Sequence, residues 1–288
     1  MKWQGRRQSS NVEDARGAGG GGRRLALGGG LGTILIAVLV LLFGGDLKDV
    51  LRVVSSQQGQ VQSASAPQGE LTPEDRAAGE FAAVVLADTE DVWKALFQAH
   101  GRAYREPRLV LYSGHTDSGC GATGASTGPF YCPADEKVYI DLRFLAELQN
   151  RLKAPGDFAA AYVIAHEVGH HVQKALGTLQ RMEQARARLS EADYNQLNVR
   201  LELQSDFFAG VWAHHAQRMK SILEPGDMEE ALNAASAVGD DRIQSQQQGY
   251  VNPDSFTHGT SEQRQRWFLK GFQTGDITQG DTFSARTL

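Results

Sequence analysis

The chain of 288 residues has little of several things that would fix its class at once. It has two cysteines, Cys120 and Cys132, too few for a disulfide framework and without the paired spacing of a zinc ribbon. It has no surplus of base: 29 Lys and Arg against 34 Asp and Glu leave a net charge of −5. That balance argues against a nucleic-acid partner, because phosphate binding needs a clustered excess of cations. The glycine-rich stretch 113–131 contains no Gly-x-x-x-x-Gly-Lys-Ser/Thr, so it encodes no phosphate cradle of that kind. Wholesale disorder is excluded by 41% hydrophobic and 22% charged residues. Long apolar runs are scarce too, and only one is long enough to matter.

That run, 25–43, carries no charge and comes close to the roughly 20 residues that span a bilayer core. Lys2, Arg6, Arg7, Arg16, Arg23 and Arg24 precede it, against Lys48 and Arg52 soon after it. This bias predicts a transmembrane anchor over 25–45, with the N-terminus cytoplasmic and the remainder outside. A cleaved signal peptide is the alternative, although no Ala-x-Ala follows Phe43 directly. On this reading residues 1–24 are a cytoplasmic basic tail. Residues 46–70, rich in Gln, Ser and Gly, are a flexible linker, and 71–288 are one folded domain.

Within the domain, Thr72 is a plausible N-cap with Pro73 at the first helical position. Phe81, Val84 and Val85, then Val92, Trp93, Leu96 and Phe97, predict core helices, the second ending near His100. Strands are expected over 108–112 and 137–142. Cys120 and Cys132 flank the latter half of the loop between them; outside the cytoplasm they are expected to pair, two free thiols being the alternative. Pro155-Gly156 breaks a helix begun at Phe144, and Asp157 caps the next one, which runs to about Leu176 before Gly177. Ser190 restarts a helix, a further helix is expected over 227–246, and the segment 252–261 then enters a last one through Gln263, Arg264, Trp267 and Phe268.

The chemistry centres on Tyr162-Val163-Ile164-Ala165-His166-Glu167-Val168-Gly169-His170-His171. Successive helical residues turn by about 100°, so His166 and His170 share a face and can meet one metal ion, with Glu167 beside them. His171 points away. A catalytic zinc ion usually takes three protein ligands and keeps a position for water, so a third ligand must come from elsewhere. Glu202 is the best candidate, with Asp206 one turn on along the same apolar helix. Asp206 is then placed to accept a hydrogen bond from the outer ring nitrogen of His166 or His170.

His166-Glu167-x-x-His170 followed by Glu202-x-x-x-Asp206 resembles the gluzincin pattern of zinc peptidases. The chain as a whole is similar to the bacterial neutral zinc metallopeptidase family. The likeness extends from Lys2-Trp3-Gln4-Gly5-Arg6-Arg7 and Asn11-Val12-Glu13-Asp14, through Gly128-Pro129-Phe130-Tyr131-Cys132-Pro133, to Phe256-Thr257-His258-Gly259. In that family an arginine is common where Ala15 stands, and Ala-Asp-Cys where Ser205-Asp206-Phe207 stands; neither departure touches a candidate ligand. The resemblance implies a mostly helical α+β, zincin-like domain with a small sheet and an active-site helix. It implies one zinc ion, a peptide or protein substrate, a cleft strand at 138–142 or just before it, and His258 as the oxyanion-stabilising group.

Together these readings predict a membrane-anchored zinc metalloendopeptidase with Glu167 as general base. The alternative is a zinc-stabilised extracytoplasmic binding or regulatory protein with little turnover. Glu167 favours the enzyme, since a pure scaffold needs no carboxylate there that is not a ligand. Cleavage of a peptidoglycan cross-link would share the chemistry and differ only in substrate.

Overall fold

The structure, a computed structural model, describes residues 1–16, 71–123 and 128–288. The expected anchor over 25–45 and linker over 46–70 lie outside these residues. Among the described residues, no helix is long and apolar enough to cross a membrane. The fold is α+β and mostly helical.

Helix α1 (Pro73–Ala99) starts on a full capping box: the Thr72 side chain accepts from the Asp75 amide, and the Asp75 carboxylate accepts from the Thr72 amide. It is one continuous helix where the sequence suggested more than one, because no Gly or Pro between 80 and 99 interrupts it. A four-stranded sheet follows, in the order β1 (Val12–Asp14), β2 (Arg108–Tyr112), β6 (Lys137–Asp141), β5 (Phe130–Cys132). The first three strands run parallel, with Val12 opposite Leu109 and Leu109 opposite Val138; β5 is antiparallel to β6. A short ribbon of β3 (Thr116–Ser118) and β4 (Gly121–Thr123) is tied to β5 by the Cys120–Cys132 disulfide.

Two expectations change here. The strand over 137–142 is β6, which is paired on both sides and has no edge to offer a peptide; among the described residues the free edge at this end of the sheet is β5, just before it. The tail expected over 1–24 does not include residues 1–16, which are built into the domain. Val12–Asp14 extends the sheet, Arg6 pairs with Asp88 at 2.7 Å, and Arg7 pairs with Glu90 and Asp91. The Met1 ammonium sits among Asp157, Glu224 and Asp227. Asp88 and Asp91 also receive Lys220. These acidic residues near α1 need partners once they are shielded from water, and the basic N-terminal segment supplies several of them.

The helical part consists of α2 (Arg143–Asn150), α3 (Asp157–Ala175), α4 (Thr178–Arg186), α5 (Glu191–Lys220), α6 (Asp227–Ala237), α7 (Asp240–Gln248) and α8 (Ser261–Thr274). The helix expected over 227–246 is thus two, parted at Val238-Gly239. Helix α3 is apolar around nearly its whole circumference and is buried from Phe158 to Val168. It packs chiefly on α5 and α6, and more lightly on α1. Phe158 stacks on Trp212 of α5, and Tyr162 meets Phe268 of α8 edge-on. Each such fully buried side chain contributes ~1.5–3 kcal/mol by leaving water.

Helices α5 and α8 run side by side in the same direction, as Asp206–Arg264, His214–Phe272 and His215–Gly275 contacts show. They approach closely because Gly210 and Gly271 lie at the crossing; a Cβ on either would collide with the backbone of the other helix.

Candidate metal centre

Helix α3 brings His166 and His170 to one face, with ring centroids 4.9 Å apart and planes nearly perpendicular. Helix α5 is pressed against that face because Gly169 lacks a side chain: a Cβ there would strike Ser205. The Ser205 hydroxyl in turn donates to the His166 carbonyl at 2.5 Å, which ties the two helices at this level. Glu202 therefore arrives opposite both rings. Its Oε2 lies 3.1 Å from His166 Nε2 and its Oε1 3.5 Å from His170 Nε2.

These separations can be tested against a metal. Four ligands at about 2.0–2.1 Å from zinc, at tetrahedral angles, stand about 3.3 Å apart, and the observed 3.1 and 3.5 Å lie on either side of that value. One atom from each of the three residues falls within 4.8 Å of the others. Two imidazole nitrogens and one carboxylate are a zinc donor set, so the residues present fit the ion.

The outer nitrogens are held by unlike partners. His166 Nδ1 lies 2.8 Å from Asp206 Oδ1, and His170 Nδ1 lies 2.9 Å from Gln173 Oε1. Gln173 is fully buried and donates onward to the Leu201 carbonyl and to Gln204. Both contacts call for a proton on Nδ1 and leave Nε2 to face the ion. Burial alone would lower the pKa of His166, but Asp206 and Glu202 outweigh it and raise it to about 9. His170 is also raised: Glu202 overcomes its burial. Burial would raise Glu202, yet the two histidines hold it well below the usual carboxylate range.

Glu167 is buried beside the ligands, and its carboxylate makes no hydrogen bond or ion pair among the described residues. It acts on His170 only through its charge. His258 comes from the loop before α8 and is close enough to Glu202 for each charge to be felt by the other. Its Nδ1 is 3.2 Å from Asp240 Oδ1, while Asp240 Oδ2 accepts the backbone amides of Thr257, His258 and Gly259. Burial would lower the pKa of His258; Asp240 and Glu202 raise it. With Nδ1–H turned to Asp240, a protonated ring keeps Nε2–H as a donor.

Other histidines take no part. His171 turns to the Tyr131 hydroxyl and the Arg105 carbonyl; His214 and His215 bond carbonyls of Phe272 and Gly275. A second carboxylate group, Asp157, Asp227 and Glu230, is served by the Met1 ammonium and by the Phe158 amide, which Glu230 accepts at 3.0 Å.

Three residues at the centre escaped the sequence reading: Gln173, Asp240 and Arg264. Gln173 had a signal, being a polar residue three places after His170 on an apolar helix. Asp240 lies 18 residues from His258, and Arg264 lies 58 residues from Asp206 on α5 and 98 from His166 on α3, so no local pattern joins them.

A sequence profile of the family described as "Putative neutral zinc metallopeptidase" matches residues 1–283. The uncharacterized protein YpfJ of Escherichia coli K12 is 50% identical over 287 residues, covering 98% of this chain and 99% of its own. The uncharacterized protein Rv2575 of Mycobacterium tuberculosis is 45% identical over 207 residues, 68% of each chain. No solved structure matches.

Proposed function

The chain belongs to this neutral zinc metallopeptidase family, and from that premise we propose that it hydrolyses peptide bonds with one zinc ion held by His166, His170 and Glu202. The observation that carries the reading is the convergence of Glu202, from a separate helix, on both imidazole Nε2 atoms, with the buried carboxylate of Glu167, which makes no hydrogen bond or ion pair among the described residues, beside them. Bound zinc supplies a Lewis acid that polarises a carbonyl and lowers the pKa of water toward 7. Glu167 takes a proton from the attacking water and returns it to the leaving amine. His258, held by Asp240, donates from Nε2–H to the oxygen on which charge develops. An extended substrate pairs with the free edge of β5, which packs against α3 and is fixed by the Cys120–Cys132 bond.

The same disulfide supports an oxidising compartment for the domain. Attachment to a membrane through 25–45 rests on the apolar run there, and must leave residues 1–16 beside the domain they pack on. The partner we propose is a peptide or protein, with no nucleic acid.

The test compares Glu167→Gln with wild type on a peptide library, with zinc content measured in both. The expected result is undiminished zinc and a loss of roughly 10²–10⁴-fold in kcat. Equal cleavage by the variant removes Glu167 from its role; zinc uptake with no cleavage by the wild type favours a zinc-stabilised binding protein.

A further inference from the structure

We propose that Arg264 is a positioning residue of the metal centre, locking the Asp206 carboxylate so that His166 is turned with Nε2 toward the ion. This deepens the zinc reading above and rests on it.

Arg264 is a guanidinium with almost no contact with water, at 3% exposure. It grips Asp206 by both arms of its fork: Nε to Oδ2 at 2.8 Å and Nη2 to Oδ1 at 2.9 Å. Nη1 is anchored on the Val238 carbonyl at 3.2 Å, so the fork has a fixed direction. Nη2 also lies 3.3 Å from the Tyr162 hydroxyl and 3.4 Å from His166 Nδ1. One side chain from α8 thus touches groups on α3 and α5 at the point where the ligand His166 is steered.

Asp206 is fully buried and has about four acceptor positions. Tyr162 and His166 use Oδ1, at 2.5 and 2.8 Å, and neither fixes the plane of the carboxylate. A single shared oxygen can pivot. The planar guanidinium sets that plane, because two parallel N–H···O bonds allow one mutual orientation. It also balances the buried charge. Asp206 and Arg264 sum to zero, so Asp206 accepts the Nδ1–H of His166 without adding a net negative charge behind the ligand. A buried carboxylate stripped of that partner would be expensive, and would be relieved by taking a proton or by swinging away. Either change would release the His166 ring.

The register that brings Arg264 to Asp206 comes from the close crossing at Gly210 and Gly271, one to two turns further along both helices. Helix α8 is therefore the back wall of the metal centre, even though it contributes no ligand.

The test uses the full chain as wild type, Arg264→Met, Arg264→Lys, Asp206→Asn and the Arg264→Met/Asp206→Asn double variant. Zinc affinity is measured by competition with a chromophoric chelator, and the His166 tautomer by ring-nitrogen NMR of the chelated protein. Arg264→Met is expected to bind zinc about 10–100-fold more weakly and to show a mixed His166 tautomer, with Arg264→Lys between it and wild type. In the Asp206→Asn background the same change is expected to cost less than about threefold, because its target is already gone.

Wild-type zinc affinity in a folded Arg264→Met variant overturns the proposal, as does an equal loss in both backgrounds, which would mark a merely structural arginine. Should Arg264→Met not fold, Arg264→Lys decides: wild-type affinity and tautomer there overturn the proposal equally. A wild type that takes up no zinc brings down the zinc reading and this inference together. A wild type that binds zinc beside an unaltered Arg264→Met removes the inference alone.

Discussion

At the level of single residues, the centre is a set of paired charges whose balance depends on pH. In protein stripped with a chelator, the carboxylates of Asp206 and Glu202 overcome burial and raise His166 from 6.5 to about 9. A histidine raised in this way lends stability that is fully present below about pH 6.5 and is lost as pH climbs through about 9. Zinc needs the neutral ring, so its uptake follows the opposite course: affinity weakens as pH falls from about 9 toward 6.5, and uptake expels a proton. Calorimetry in buffers of different ionisation enthalpy measures that proton; zinc uptake without proton release near pH 7.5 would contradict the arrangement. His258 gives a second prediction. Because Asp240 raises its pKa, Asp240→Asn lowers it, and the alkaline fall in kcat/KM should move to lower pH while zinc content stays constant. An unmoved alkaline limb would detach His258 from the reaction.

At the level of elements, two helices were legible from their ends. Thr72-Pro73 and Ser190 mark starts that the structure bears out, because side-chain capping is local chemistry written in adjacent residues. The face shared by His166 and His170 is legible for the same reason, since it follows from helical repeat alone. The break at Val238-Gly239 was not legible, as its cause lies 17 to 19 residues away, where Asp240 gathers the amides of Thr257, His258 and Gly259. The sheet order was equally hidden: nothing local in Lys137–Asp141 says that both its edges are occupied. The α5–α8 crossing gives a prediction at this scale. Replacing a helical glycine by alanine ordinarily gains up to about 1 kcal/mol, but a Cβ at Gly271 would meet the Phe207 carbonyl and the Val211 amide. Overpacking costs about 1–3 kcal/mol, so the collision wins, and Gly271→Ala should lower the urea midpoint. A midpoint that rises would mean the helices have slack.

At the level of the whole molecule, the family resemblance predicted a mostly helical α+β body, and the body has that architecture. What sequence could not supply was the place of the first residues. Glycine and base around a short polar motif look like a tail when the partners of Arg6 and Arg7 lie more than 80 residues away. Those partners make the opening residues a strand and a set of counter-ions, and so a structural part of the enzyme we propose. Because Val12–Asp14 lies hydrogen-bonded along Arg108–Tyr112, the two flanks of residues 17–70 issue from a single solid object, and no solid object can have its opposite halves in different cellular spaces. Cysteines introduced singly at exposed positions near either end, Ser10→Cys and Thr287→Cys, should therefore react alike with a membrane-impermeant thiol reagent on whole cells, both or neither; reaction at one alone would mean that this edge strand comes apart in the living cell.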